Sequence, residues 1–171
     1  MIKLEHSITI NCPPERLFDW FMNLEKNFTK WNTNHKKFVK VTGGMQVGDK
    51  VYFEQCINGK WFKNKVTISV INKNENGWTI EAVTPPFAKL EFICEAKENK
   101  CLFTHIESFG FLKSKKAFVR KFLIPFLRKL LNPFYRFDLI QKDIKEDNFK
   151  LKEIMEVNNN SKEIDEESTN A

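Results

Sequence analysis

Two aspartates four residues apart, Asp143 and Asp147, stand in a carboxy-terminal stretch whose apolar residues recur at helical spacing. At about 100° per residue, Phe137, Ile140, Ile144, Leu151 and Ile154 share one arc. Asp147 falls inside that arc and Asp143 just past its edge. A carboxylate on a buried face is costly unless it is paired, hydrogen-bonded or coordinated. The two acids therefore read as a structural ion pair or solvated helix edge, or as a ligand pair, since residues four apart on a helix can converge on one ion. Glu54 sits in Val51-Tyr52-Phe53-Glu54-Gln55-Cys56-Ile57, where either alternate set suits an interior face. His35 ends a polar segment, the usual setting of a surface histidine. His6 lies on the apolar face of the first strand pattern, and His105 and Glu107 share a face of the last. For His6 and His105 the default is a satisfied core or rim imidazole. There is no nucleophile elbow, phosphate-binding glycine loop or zinc-finger spacing, so motifs alone do not establish an enzyme.

The elements that must position these residues begin with Ile2 to Ile10, where apolar and polar residues alternate with the period of a half-buried strand. Cys12-Pro13-Pro14-Glu15 then opens a helix, with proline in the first turn and an acid near the positive end of the dipole. Leu17, Phe18, Phe21 and Met22 form its buried stripe. After a polar segment from Asn27 to His35, strand patterns recur at 38–42, 50–57, 60–71, 78–83, 89–96 and 101–109. Asn58-Gly59 and Asn76-Gly77 mark hairpin turns, because both residue types tolerate positive φ. From Lys113 the period becomes helical, with Pro125 and Pro133 kinking or dividing the run, and Phe134 to Met155 reads as one helix. The sequence from 157 to 171 has no apolar face and reads as a disordered acidic tail. A long antiparallel sheet must cover one face, and the last helix is the largest element able to do so. The expectation is an α+β domain over residues 1–156, a curved antiparallel sheet wrapped around a long C-terminal helix with a cavity between them.

Composition agrees with one folded domain. Of 171 residues 42% are hydrophobic and 17 are phenylalanine, too apolar for a disordered chain. The four cysteines, Cys12, Cys56, Cys94 and Cys101, form no CxxC pair and read as reduced thiols. No apolar stretch approaches the roughly 18 residues of a membrane span. The first residues lack the apolar run of a secretory signal, so a cytoplasmic location is expected. The net charge of +6 is uneven: eight basic residues and no acid lie between Glu107 and Asp138, whereas Glu156 to Ala171 holds five acids and one lysine. A local basic stretch without a recognised module argues against nucleic-acid binding.

The opening strand, the Cys12-Pro13-Pro14-Glu15-Arg16-Leu17-Phe18 helix entry, the strand run and the final helix together resemble the SRPBCC or START-like superfamily, also called polyketide cyclase-like, with its helix-grip fold. That resemblance covers roughly residues 2–155 and implies a hydrophobic ligand cavity. Trp31 to His35, with Val47-Gly48-Asp49-Lys50-Val51-Tyr52-Phe53-Glu54 and Asn58-Gly59-Lys60, resembles a subgroup related to diacetylphloroglucinol hydrolase. The likeness implies a zinc site whose ligands here would be His35, Glu54, Asp143 and Asp147. Asp143 stands where the subgroup has a histidine, and one imidazole with three carboxylates would favour a harder divalent ion than zinc. Trp31, Tyr52, Phe137, Ile140 and Ile144 are the candidate ligand-binding residues.

Two function classes follow. One is a cavity protein for a hydrophobic, aromatic or polyketide-like small molecule, with metal-dependent hydrolysis as its catalytic version, the ion polarising a carbonyl and activating water. The other is a non-enzymatic lipid carrier or membrane-surface module. In the segment 113–136, Phe118, Phe122, Leu123, Phe126 and Leu127 alternate with Arg120, Lys121, Arg128 and Lys129, a composition suited to weak contact with an anionic bilayer.

Overall fold

The computed structural model describes residues 2–84, 88–98, 100–110 and 136–167, with side chains through Val157. The elements run β1 (Ile2–Ile10), α1 (Pro14–Met22), α2 (Leu24–Trp31), β2 (His35–Lys40), β3 (Lys50–Ile57), β4 (Lys60–Asn74), β5 (Gly77–Thr84), β6 (Ala88–Lys97), β7 (Lys100–Phe109) and α3 (Phe137–Glu167). The strands form one antiparallel sheet in the order β1-β7-β6-β5-β4-β3-β2. Each strand from β2 to β7 pairs with its chain neighbour, while β1 crosses over to close against β7. The expected helix-grip architecture is present, with α3 packed on β1 and the inner face of the sheet.

Two features differ from the expectations. The segment after α1 contains a helix, α2, whose second half lies in the polar Asn27 to His35 stretch to which the sequence assigned no element. Leu24, Phe28 and Trp31, spaced i, i+4 and i+7, make a buried stripe that outweighs the polar residues between them. Helix α3 also runs on to Glu167, past the Met155 end. Extending a formed helix adds one hydrogen bond per residue fixed, so a polar continuation needs no buried face. The basic stretch from Lys113 to Pro133 falls outside the described residues. No helix among the described residues is long and apolar enough to cross a membrane.

The two Asn-Gly pairs work differently. Asn58 and Gly59 both take positive φ, 51° and 74°, and join β3 to β4 as a two-residue turn. In the second pair, Gly77 has φ of 133° and opens β5 opposite β6. A Cβ there would stand 1.9 Å from the Cys94 carbonyl oxygen, so close backbone approach requires glycine.

The main core lies between the sheet and helices α1, α2 and the second half of α3. Phe21 is its hub, with ring centroids of Phe92, Trp78, Phe103 and Trp31 at 4.7 to 5.5 Å. A second apolar cluster gathers Ile2, Leu4, Ile57, Phe137, Ile140 and Ile144 at the start of α3. All four cysteines are free thiols; Cys12 and Cys101 are buried with their sulfurs 3.9 Å apart.

Candidate functional site

Alternation along the strands decides which side chains meet inside. Val51, Phe53 and Gln55 of β3, Leu90 and Phe92 of β6, and His105 and Glu107 of β7 face a cavity of about 60 Å³. Phe21 of α1, the Leu24, Phe28 and Trp31 stripe of α2, and Asp147 of α3 close it from the helical side. Its walls are mostly aromatic and aliphatic, and its polar groups are His35, Gln55, His105, Glu107 and Asp147.

His35 and Asp147 meet at one side of the cavity. Nε2 of His35 lies 3.3 Å from Oδ2 of Asp147, close enough for an ion pair but not aligned as a hydrogen bond. The imidazole stacks on Phe28 with centroids 4.2 Å apart and planes 6° from parallel, and its Nδ1 is 3.2 Å from the Phe28 carbonyl oxygen. That carbonyl can only accept, so Nδ1 carries a proton, and the Nε2 contact with Asp147 is an ion pair only when Nε2 is protonated as well. Asn32 donates from Nδ2 to the other carboxylate oxygen of Asp147 at 2.8 Å, and the Trp31 indole donates to the Asp147 backbone carbonyl at 2.8 Å. The end of α2, the turn after it and the start of β2 thus fasten the middle of α3 through Trp31, Asn32 and His35.

His105 is the opposite case. Its ring is buried against Phe92 and Trp31, and neither nitrogen has a hydrogen-bond partner. The nearest charged atom, Oε1 of Glu107, is 3.7 Å from Nε2. Asp143, half-buried beside this group, has its carboxyl pushed up to about 8, first by burial and then by the charges of Asp147, Glu107 and Glu146. It therefore retains its proton through most of the neutral range.

Of the four residues that the resemblance implies as ligands, His35 and Asp147 meet, and Asp143 lies near Asp147. Glu54 does not join them. With Tyr52 it projects from the outer face of β3, where the Tyr52 hydroxyl donates to its Oε1 at 2.7 Å. That hydrogen bond, with Lys63, Lys36 and Lys37 nearby, holds the Glu54 carboxyl below the usual carboxylate range. The side chain on the inner face at this point is Gln55, a neutral amide. The four residues do not converge as one ligand set: Glu54 faces away on the outer side of β3, and Asp147 is already engaged by Asn32 and His35. Among the described residues no three His, Cys, Asp or Glu side chains converge as a ligand group.

Among the candidate ligand-binding residues, Trp31 lines the cavity, whereas Tyr52 faces outward. Phe137, Ile140 and Ile144 are buried in the second cluster rather than along the cavity wall. For His105 the default of a satisfied core or rim imidazole does not hold, since neither ring nitrogen has a hydrogen-bond partner. Its register with Phe103 and Glu107 placed it on the inner face, but pairing across the interior is not visible in one strand.

No family model and no curated protein sequence matches the chain. Solved structures do. The Zhui aromatase/cyclase from Streptomyces sp. R1128 superposes with a TM-score of 0.62 at 11% identity, over 91% of this chain and 93% of that one. The polyketide cyclase-like protein Cgl2372 from Corynebacterium glutamicum gives 0.53 at 16%, over 91% and 92%. A START superfamily protein from Mycobacterium smegmatis gives 0.50 at 12%, over 84% and 97%. With a seven-stranded antiparallel sheet gripping a carboxy-terminal helix, the chain has the helix-grip α+β fold of polyketide cyclase-like and START superfamily proteins.

Proposed function

We propose that this protein binds a hydrophobic small molecule, aromatic or polyketide-like, whose apolar body lies against Phe28, Trp31 and Phe92 and whose polar group meets His105. The observation that carries this reading is the His105 imidazole, buried at the wall of an apolar cavity with both nitrogens unpaired. A buried polar group without a partner costs about 1–3 kcal/mol, which a ligand hydroxyl or carbonyl recovers. The fold shared with an aromatase/cyclase and a polyketide cyclase-like protein supports the same class of ligand. Metal-dependent hydrolysis has no such support, because Glu54 lies outside the cavity. The cavity, about 60 Å³, is smaller than the roughly 150 Å³ void that accommodates benzene, so binding requires wall side chains to move.

Calorimetry with 1-naphthol and naphthalene tests this. The expected result is that 1-naphthol binds about 2- to 10-fold tighter than naphthalene, the range of one neutral hydrogen bond, and that His105→Phe abolishes the difference. Failure of the native chain to bind either probe, or an unchanged preference in His105→Phe, overturns the reading.

A further inference from the structure

The β3–β4 hairpin carries a surface that the cavity does not use. Trp61 is 51% exposed and Phe62 39%, adjacent residues just beyond the Asn58-Gly59 turn. Around them Lys36, Lys37, Lys60, Lys63 and Lys65 are all exposed, and Lys36 Nζ lies over the Trp61 ring at 5.3 Å. The pairings Glu54 with Lys63, Tyr52 with Lys65 and Cys56 with Trp61 put Trp61, Lys63 and Lys65 on the outer face of the sheet. Lys37, opposite Glu54 on the edge strand β2, joins that face. Five exposed lysines thus flank two exposed aromatic rings, with Glu54 among them.

We propose that this hairpin docks on an anionic lipid bilayer, with Trp61 and Phe62 in the interfacial layer and the lysines over the headgroups. Charge complementarity selects an anionic partner, and the placement of the rings selects a membrane over a nucleic acid. Successive strand residues point to opposite faces. Trp61 and Phe62 therefore cannot form one stacking platform for bases, whereas a protruding hairpin tip entering an interface buries both. Amphipathic aromatic rings are favoured at that depth. The proposal stands independently of what the cavity binds.

Sedimentation of the full chain with vesicles of phosphatidylcholine and phosphatidylserine at 70:30, and with phosphatidylcholine alone, tests it. The native chain is expected to bind the mixed vesicles, to bind neutral ones at least about 10-fold more weakly, and to release as salt rises. Trp61→Ser/Phe62→Ser and Lys36→Gln/Lys37→Gln/Lys63→Gln, all at exposed positions, should keep the native melting temperature. The lysine variant should bind the mixed vesicles about 100-fold more weakly. Native-like binding by both variants, or binding of the native chain to poly(U) RNA but not to vesicles, overturns the proposal.

Discussion

Nε2 of His35 faces Oδ2 of Asp147 across 3.3 Å, with side-chain exposures of only 2% and 5%, so the middle of α3 is held to the start of β2 by a buried polar contact. Asn32 and Trp31 reinforce it from the turn before β2 and the end of α2. The contact crosses the layer between helices and sheet edge, and it fixes one side of the cavity.

Breaking one half of that contact should cost more than removing both. Asp147→Leu removes the carboxylate that the buried His35 Nε2 faces and that accepts from the half-buried Asn32 amide, and a destabilisation of about 3 kcal/mol is expected. In His35→Phe/Asp147→Leu the imidazole is gone, and the total loss should fall below the sum of the two single substitutions. Urea unfolding of the four proteins measures the coupling.

The protonated Asp143 carboxyl makes stability depend on pH. In the folded chain it takes up its proton below about 8, whereas the ordinary value is 3.8. Between those values the folded state binds more protons than the unfolded state, so its stability contribution falls as pH rises. Asp143→Asn should flatten the profile and melt at least about 3 °C higher than the native protein at pH 8, the scale of a 1 kcal/mol change in a chain of this size. Thermal melts at pH 5 and pH 8 give the comparison.

Glu54 should be dispensable for both metal and core. Glu54→Gln removes a charge that contacts only the Tyr52 hydroxyl and surface lysines, and unfolding stability should stay within about 0.5 kcal/mol. A chelator should leave the melting temperature of native and variant proteins unchanged, because the described donors do not assemble a metal site. A drop of several degrees on chelation, cancelled by Glu54→Gln, would show that Glu54 holds an ion.

Thiol titration should separate Cys56 from the rest. Cys12, Cys94 and Cys101 are buried, and Cys56 is half-exposed on the outer face of β3. The hydrogen bond with Cys101, then burial, hold the Cys12 thiol far above its ordinary range. Cys101, lowered by its contact with Cys12 but raised by Cys94 and by burial, sits at about 12. Since the thiolate is the reacting form, Ellman's reagent should modify one thiol per native chain and four after denaturation.

Gly77→Ala should be among the most damaging single-methyl changes. The added Cβ meets the Cys94 carbonyl at a backbone φ of 133°, and neither can yield without separating β5 from β6. A loss above about 2 kcal/mol in urea unfolding is expected, against about 1 kcal/mol of gain where glycine is merely flexible.

Local patterning determined most of the architecture. Period-two alternation marked each strand, helix periodicity placed Ile140, Ile144 and Leu151 on a buried arc, and the sheet's need for cover called for a long final helix. The arc also put Asp147 inside, because a helix's geometry fixes the angular position of every residue relative to its neighbours. What one strand cannot express is which of two acceptable faces is the interior. Glu54 and Gln55 were equally plausible from Val51 to Ile57, and pairing with β4 turned Glu54 toward Lys63 and solvent. The α2 stripe was legible in Leu24, Phe28 and Trp31 but obscured by their polar neighbours. That His35 reaches Asp147, and that neither nitrogen of His105 finds a hydrogen bond, was settled by the tertiary structure alone. Hydrogen bonding depends on distances of about 3 Å between atoms far apart in the chain, and only packing of the helices on the sheet sets those distances.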